Sequence, residues 1–200
     1  MEEYRSLQQQ LGLNQGLLYT PNWSAGADFL QIIVDACLET KPTLVFECSS
    51  GLTTLMLARC CQINGHGHVL SLENGREYAE ATREYLEKYG LQPFASVIDA
   101  PLDSQKYDGT DYSWYAFEQL PDAKIDMLVI DGPSGFICKH ARYPALPVLY
   151  SALGAKSHIY LDDAARTDER EIVSMWCEKF PDLQHRFVET ARGCSILTRS

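Results

Sequence analysis

Residues 43–54 read Thr43-Leu-Val-Phe-Glu-Cys-Ser-Ser-Gly-Leu-Thr-Thr54, a short apolar run that ends in a turn at Gly51. Its bias toward β-branched and aromatic side chains predicts a strand buried on both faces, and residues 52–62 predict a helix. The next apolar run, His68-Val-Leu-Ser-Leu-Glu73, predicts a second strand that ends in a carboxylate. Strand, helix and strand in this order form a βαβ unit, from which parallel sheets are built.

The same alternation continues along the rest of the chain. Helices are predicted from Ser24 to Lys41 and at 77–89, about 139–153 and 167–180. Strands are predicted at 94–99, 125–131 and 157–162, whereas 103–124 is predicted to be a loop with one short helix. The last two predicted strands, 184–189 and 194–198, lie only four residues apart. This gap is too short for a crossover helix, so the two strands are predicted to form an antiparallel hairpin.

These elements place the chain in the α/β class. We predict a doubly wound, seven-stranded sheet that is mostly parallel, with one antiparallel strand contributed by the C-terminal hairpin. No linker divides the chain, so residues 1–200 are predicted to form a single domain in which 1–23 are an N-terminal helical or lid segment. Ligands of such sheets bind at the carboxyl ends of the strands, where the winding reverses.

The charge balance of the chain is acidic, with 27 aspartates and glutamates against 17 lysines and arginines. A net charge of −10 repels a phosphate backbone, so nucleic acid is not expected as a partner. No apolar run approaches the roughly 18 residues of a membrane helix, and neither membrane binding nor secretion is expected. The seven cysteines are odd in number and lack repeated C-x-x-C spacing, which favours reduced thiols and a cytoplasmic location.

Acidic residues end five consecutive predicted strands. They are Glu47, Glu73, Asp99, Asp131 and the pair Asp162-Asp163. Because the carboxyl ends of parallel strands share one edge of the sheet, we expect a row of carboxylates there. Helix N-termini at this rim favour some acidic residues without any ligand. The whole series favours a hydroxyl-rich or cationic ligand, or a divalent metal ion.

At the residue level, the segment 44–54 resembles the first motif of class I S-adenosylmethionine-dependent methyltransferases. Ser71-Leu-Glu73, Val97-Ile-Asp99 and Ile130-Asp-Gly-Pro133 are similar to the second, third and fourth motifs, in the same order. The Asp-Gly-Pro sequence, together with 141–147 and 161–166, is most similar to a small bacterial subgroup related to the catechol O-methyltransferase-like branch. The resemblance covers residues 24–198 and implies the Rossmann-like methyltransferase fold.

The resemblance implies transfer of a methyl group from S-adenosylmethionine to an oxygen of a small hydroxylated acceptor, with a sugar or glycan unit as a candidate. The cofactor-binding residues that it implies are Glu47, Cys48, Ser49, Ser50, Gly51, Thr53, Glu73, Asn74, Asp99 and Asp131. Among these, Glu73 is expected on the ribose, Asp99 near the adenine, and Glu47 with the loop 49–51 on the methionine part. The sequence departs from the family at Ser49, where glycine is usual.

In the metal-dependent branch of that family, one acid after the fourth strand and a pair after the fifth hold a divalent ion. The resemblance therefore implies Mg²⁺ or Mn²⁺ at Asp131, Asp162 and Asp163, which would acidify a bound hydroxyl. The alternative is that Asp162 or Asp163 caps the following helix and pairs with Arg166 or Arg170. Two residues, Asp131 and His140, are predicted to be catalytic, the latter because its ordinary pKa near 6.5 suits a general base.

Two other functions remain open. An NAD-linked oxidoreductase uses the same βαβ unit, and Glu73 lies 22 positions after Gly51, as a ribose-binding acid does in either class. A dinucleotide site, however, needs three glycines, and residues 47–54 contain one. The second alternative is a non-catalytic partner subunit that keeps the fold. The expected partner is a small-molecule or glycan acceptor, and a homodimer is left open.

Overall fold

A seven-stranded sheet runs through the structure, a computed structural model that describes residues 2–199. The strands in chain order are β1 (Leu44–Cys48), β2 (His68–Glu73), β3 (Ala95–Asp99), β4 (Leu102–Tyr107), β5 (Thr110–Tyr115), β6 (Ile125–Ile130), β7 (Leu153–Leu161), β8 (Leu183–Val188) and β9 (Cys194–Arg199). Across the sheet the order is β3-β2-β1-β6-β7-β9-β8, and β9 runs antiparallel to both of its neighbours. The predicted fold class is confirmed, and the winding reverses between β1 and β6.

The sheet is covered on both faces. The helices are α1 (Arg5–Gln10), α2 (Ala27–Thr40), α3 (Leu52–Asn64), α4 (Arg76–Lys88), α5 (Ala145–Leu149) and α6 (Thr167–Lys179). Side chains alternate along β1, so that Val45 packs into the core beneath α2 and α3 and Phe46 into the core beneath α5 and α6. This period of two, within a run that is buried throughout, is what a central parallel strand requires.

The segment predicted to be a loop, 103–124, contains instead the separate two-stranded sheet of β4 and β5. Asp108 and Gly109 form its two-residue turn, with φ of 50° and 82°. A two-residue turn with both φ angles positive matches the twist of a hairpin, and Asp-Gly is a typical sequence for it. Tyr112 and Trp114 alternate inward along β5 and are buried. The loop prediction was wrong because the Asp-Gly signal was not used.

Two helix boundaries also differ from the prediction. The helix predicted over about 139–153 is reduced to α5, because residues before it form turns and β7 already begins at Leu153. Pro144 and Pro147 lie in this stretch, and proline is tolerated only in the first turn of a helix. At the other end of the chain α2 begins at Ala27 rather than near Ser24. The hydroxyl of Ser24 accepts a hydrogen bond from the backbone N–H of Thr20 instead.

The N-terminal segment packs against the sheet's larger core. It is helical only over residues 2–10, and Met1 lies outside the described residues. Leu7, Leu11 and Leu13 are buried, and Tyr4 donates a hydrogen bond to the carbonyl of Ala25 at 3.0 Å. The hydrogen bond of Tyr4 holds the end of the stretch 18–25, which lies at the carboxyl ends of the strands.

The seven cysteines are all free thiols, and five of them are buried. None of the helices within residues 2–199 is both long enough and apolar enough to cross a bilayer.

Candidate active site

A cavity of about 440 Å³ lies at the carboxyl ends of the strands, where the order reverses between β1 and β6. Its walls are the loop 49–51, Glu73 and Asn74 after β2, residues 131–137 after β6, and the N-terminal stretch 18–25. The volume lies in the range of about 300–1,000 Å³ that is typical of small-molecule sites. The fold therefore places its main candidate binding site where doubly wound sheets bind ligands.

The loop between β1 and α3 has an unusual backbone. Ser49 and Gly51 have φ of 125° and 129°, a region that L side chains rarely adopt. A Cβ atom at Gly51 would meet no other atom within 4 Å, so the backbone there borders open space. Ser49, which replaces the usual glycine of the resembling family, thus keeps a glycine-like conformation. Its N–H is tied to the carbonyl of Leu72 at 3.0 Å.

Glu73 presents a fixed carboxylate to this cavity. Oε1 accepts a hydrogen bond from the N–H of Gly75 at 2.8 Å, and Oε2 accepts from the N–H and hydroxyl of Ser50 at 3.1 and 2.8 Å. Burial raises the pKa of Glu73, although these hydrogen bonds oppose the shift. Three of the four lone-pair positions of the carboxylate are thus in use. Oε1 can accept one further hydrogen bond from a ligand hydroxyl, and Oε2 can accept a second when the hydroxyl of Ser50 turns to that of Thr82, 3.2 Å away.

Glu47 lies behind the loop rather than in the cavity wall. It is buried and accepts hydrogen bonds from the hydroxyls of Thr53, Thr54 and Ser71, the latter two at 2.6 Å. Cys48 is also buried and absent from the lining. Thr53 lines the cavity, but its hydroxyl donates to Glu47. The contacts of Glu47 join β1, the start of α3 and β2, and so hold the loop in place.

Burial raises the pKa of Glu47 to about 7, and this gives a pH-dependent contribution to stability. A carboxyl that is harder to ionise in the folded protein destabilises it as the pH rises from about 4.5 to 7. Between pH 5 and pH 8, Glu47 is expected to lower the unfolding free energy of the wild type by about 2–3 kcal/mol. Glu47→Gln lacks the titrating carboxyl and should not show this decrease. Urea denaturation at both pH values measures it, with the exposed Glu84→Gln as control. Identical pH dependence in wild type and Glu47→Gln would contradict the prediction.

Like Glu47, Cys48 and Asp162, the predicted site residues Asp99 and His140 do not line the cavity. Asp99 ends β3 in a half-exposed position, where Arg83 Nη2 is 3.0 Å from its Oδ1. The imidazole of His140 contacts Glu171, with 2.5 Å between Nε2 and Oε2. The backbone N–H of His140 donates a hydrogen bond to Oδ2 of Asp168 at 3.2 Å. Neither side chain lines the cavity, and the roles of His140 as a base and of Asp99 near the adenine stay predictions. Asn74, by contrast, lies in the cavity wall beside Glu73.

The predicted metal ligands Asp131, Asp162 and Asp163 are brought together, with one carboxylate oxygen of each within 4.8 Å of the others. Arg142 lies among them. Its Nη2 donates to Oδ1 of Asp131 at 3.3 Å and to Oδ2 of Asp163 at 3.0 Å. Arg192 Nη2 donates to Oδ2 of Asp162 at 3.0 Å. All three carboxylates are therefore paired with arginines.

Arg166 supplies a second cation to Asp163, with 3.0 Å between Nη1 and Oδ2. This is one of the ion pairs that the sequence left open as an alternative to a metal. The capping part of that alternative is not observed, because α6 has no side-chain cap and begins directly after Arg166. Arg166 and Arg192 both line the cavity and are partly exposed.

The donor set around Arg142 does not fit a divalent ion. Besides the two carboxylates, Arg142 donates to the carbonyls of Asp131, Asp162 and Pro133 at 2.6, 2.9 and 3.3 Å. The side chain is 3% exposed, so these contacts fix it in place. A metal ion bound by the same carboxylates would lie beside a fixed positive charge that repels it.

Asp131 and Asp163 are the carboxylates of this group that line the cavity. Arg142 contacts Oδ1 of Asp131, and among residues 2–199 no donor reaches its Oδ2. Burial, with Asp162 beside it, raises the pKa of Asp131 well above its usual range, and Arg142 opposes this shift. The unpaired oxygen is therefore available to a ligand in the cavity.

Tyr115, at the end of β5, is a cavity residue that the sequence did not single out within its Tyr- and Trp-rich segment 107–117. Gly132 makes room for its hydroxyl, because a Cβ atom there would collide with it. Within residues 2–199 the hydroxyl has no hydrogen-bond partner, although the side chain is 1% exposed. Burial raises the pKa of Tyr115 well above 10, so it stays a neutral donor. Only recognition of the hairpin would have revealed this residue.

We expect Tyr115→Phe to weaken the binding of a cavity ligand by about three- to tenfold, the effect of one neutral hydrogen bond. S-adenosylhomocysteine is the probe, titrated by calorimetry. Tyr112→Phe is the matched control, because Tyr112 lies in the same strand and does not line the cavity. Equal affinities for the two variants would show that the hydroxyl of Tyr115 makes no contact with the ligand.

No protein-family model matches the sequence, and the comparison with curated proteins gives no match either. Solved structures match over the full length of the chain. An O-methyltransferase from Streptomyces achromogenes, involved in tomaymycin synthesis and solved with S-adenosylmethionine, has a TM-score of 0.67 at 13% identity, covering 100% of this chain and 90% of its own. An O-methyltransferase from Bacillus cereus, solved with S-adenosylhomocysteine, has a TM-score of 0.67 at 14% identity. The match covers 100% of this chain and 91% of that protein's chain.

A methyltransferase from Geobacter sulfurreducens matches with a TM-score of 0.64 and 14% identity, covering 100% of this chain and 88% of its own. Identities this low show a common fold rather than a common activity. The chain thus has the Rossmann-like methyltransferase fold, as the resemblance of its motifs implied.

Proposed function

We propose that this protein transfers a methyl group from S-adenosylmethionine to an oxygen of a small hydroxylated acceptor. The observation that carries the proposal is the pair of carboxylates, Glu73 and Asp131, that line one cavity of about 440 Å³ at the switch point of the sheet. One carboxylate is suited to a ribose and the other to an acceptor hydroxyl. The fold shared with methyltransferases solved with S-adenosylmethionine or S-adenosylhomocysteine supports the same assignment.

The residues of the cavity fit the parts of this cofactor. Glu73, held by Ser50 and Gly75, would accept the ribose hydroxyls, with Asn74 beside it. The loop 49–51 offers a small, open backbone to the methionine part, as the glycine-like conformation of Ser49 allows. Glu47 and Cys48 support this loop from behind. When bound, the cofactor supplies a methyl group activated by its positively charged sulfur.

Asp131 is proposed to act as the base. Asp131 lines the cavity and its Oδ2 has no donor among residues 2–199, so this oxygen is proposed to accept the proton of the acceptor hydroxyl. That hydroxyl oxygen forms the new bond to the methyl carbon, while the electron pair of the broken carbon–sulfur bond stays on sulfur. Holding the two reactants in line is the main task of the protein, because such a displacement needs no covalent intermediate.

The rim of the cavity supports a ring-shaped acceptor. Trp23 is 59% exposed and Phe136 is 91% exposed, and both line the opening. Flat apolar faces of this kind pack against sugar or aromatic rings. A sugar or glycan unit remains our proposed acceptor, with phenols as the second set to be screened.

Calorimetric titration with S-adenosylhomocysteine tests the assignment of the cofactor. We expect binding with a Kd on the order of micromolar. NADH, titrated into the same protein, is expected not to bind. Binding of NADH but not of S-adenosylhomocysteine would favour an NAD-linked oxidoreductase. If the folded protein binds neither compound, the non-catalytic partner subunit is favoured.

The role of Asp131 is tested by Asp131→Asn. We expect kcat for the acceptor found in the screen to fall by about 10²- to 10⁴-fold, because general base catalysis contributes this much. The affinity for S-adenosylhomocysteine should stay within about threefold, since the base acts on the acceptor. Asp103→Asn, on the exposed face of β4, is the control. An unchanged kcat would rule out Asp131 as the base.

A further inference from the structure

Arg142 occupies the centre of the acidic group that the resemblance assigns to a metal ion. Its guanidinium contacts carboxylate oxygens of Asp131 and Asp163 and the carbonyls of Asp131, Pro133 and Asp162, all within 3.3 Å. These oxygens follow both β6 and β7, so one side chain joins the two strand ends. A divalent ion in this position would use the same oxygens.

The charges around Arg142 are nearly balanced without any ion. Asp131, Asp162, Asp163 and Glu169 are the carboxylates, and Arg142, Arg166 and Arg192 are the cations that lie within 4.0 Å of them. The group therefore carries one formal negative charge when all are ionised. Three paired carboxylates no longer offer the strong negative potential that makes oxygen ligands bind Mg²⁺ or Mn²⁺.

The position of Arg142 is fixed by its surroundings. Tyr143, the next residue, is buried, and its carbonyl accepts a hydrogen bond from the indole of Trp176 at 2.8 Å. Removing the guanidinium from the carboxylates would leave three carbonyls without their donor, two of them buried. Displacement by a metal ion would therefore be costly.

We infer that Arg142 is a built-in cation that takes the place of the divalent metal, so that this protein binds no such ion at Asp131, Asp162 and Asp163. The guanidinium supplies the positive charge that keeps these carboxylates together, and it holds Asp131 in the cavity wall through Oδ1. Methyl transfer at this site would then proceed in the presence of a chelator that removes divalent ions. That last statement rests on the proposed function, whereas the statement about ion binding does not.

Mn²⁺ binding to the purified protein tests the inference directly. Electron paramagnetic resonance is expected to show no bound Mn²⁺ in the wild type up to about 1 mM, the weak end of protein sites for hard divalent ions. In Arg142→Ala the carboxylates lack their shared cation, and we expect Mn²⁺ to bind and raise the Tm by about 5–10 °C at a hundredfold excess over Kd. Arg166→Ala, which leaves Arg142 in place, is expected not to bind Mn²⁺.

A wild-type Mn²⁺ site that Asp162→Asn abolishes would overturn the inference. So would a folded Arg142→Ala protein that gains no Mn²⁺ affinity. If Arg142→Ala does not fold, the wild-type measurement still decides. Titration of the same wild-type sample with S-adenosylhomocysteine, with and without chelator, separates the two proposals. Loss of cofactor binding in the chelator counts against Arg142 as the substitute, whereas no binding in either condition counts against the methyltransferase alone.

Discussion

Glu73→Ala is expected to lower the affinity for S-adenosylhomocysteine by about a hundredfold. The carboxylate would accept hydrogen bonds from both ribose hydroxyls, and hydrogen bonds to a charged group contribute about 1.5–3 kcal/mol each. A net loss of about 3 kcal/mol corresponds to two orders of magnitude in Kd. Calorimetry at constant pH and salt measures the change.

Two further variants sharpen this prediction. Glu73→Gln keeps the shape of the side chain but replaces one acceptor oxygen by a donor, so an intermediate loss of about tenfold is expected. Glu77→Ala, on the exposed first turn of α4, leaves the cavity wall unchanged and should bind like the wild type. If Glu73→Ala binds S-adenosylhomocysteine as tightly as Glu77→Ala does, the ribose assignment fails and the proposed function loses its main support.

The position of Glu73 could be predicted because it depends on local rules. A strand buried on both faces, a glycine turn and a helix of standard length fix where the next strand ends. Glu47 shows the limit of this reasoning. The place of Glu47 at the end of a strand was predictable. The face of the sheet on which its side chain lies also follows from the alternation along the strand, but it was not taken into account. Along β1 Glu47 alternates with Phe46 and Cys48 and therefore lies on the same face as Val45, beneath α3.

The arginines of the site could not be placed from spacing alone. The acids lie at strand ends, where the parallel sheet aligns them, and their proximity was predicted. Arg142 lies 11 residues after Asp131 and 21 before Asp163, in a stretch of turns. Where such a side chain points depends on tertiary packing. Arg142 lies in the stretch 141–147, which carries part of the resemblance to the methyltransferase subgroup. The sequence therefore drew attention to this stretch but did not predict the contacts of its arginine.

Arg142→Leu is expected to lower the free energy of unfolding by about 3–5 kcal/mol, because it leaves buried carboxylates without a partner charge. The matched control is Arg166→Leu. Both arginines lie 3.0 Å from Oδ2 of Asp163, but Arg142 is 3% exposed and Arg166 is 45% exposed. An exposed ion pair contributes about 0–1 kcal/mol, so the control should remain close to the wild type.

Urea denaturation of the three proteins, in buffer without divalent ions, measures the difference. Burial separates the two cases: water takes the place of the partly exposed Arg166 when that arginine is lost, but it does not reach the position of the Arg142 guanidinium, which is buried between the strand ends of β6 and β7. A loss in Arg142→Leu no larger than that in Arg166→Leu would mean that the cluster relaxes freely. A cation fixed at this point would then not be needed to hold Asp131 toward the cavity.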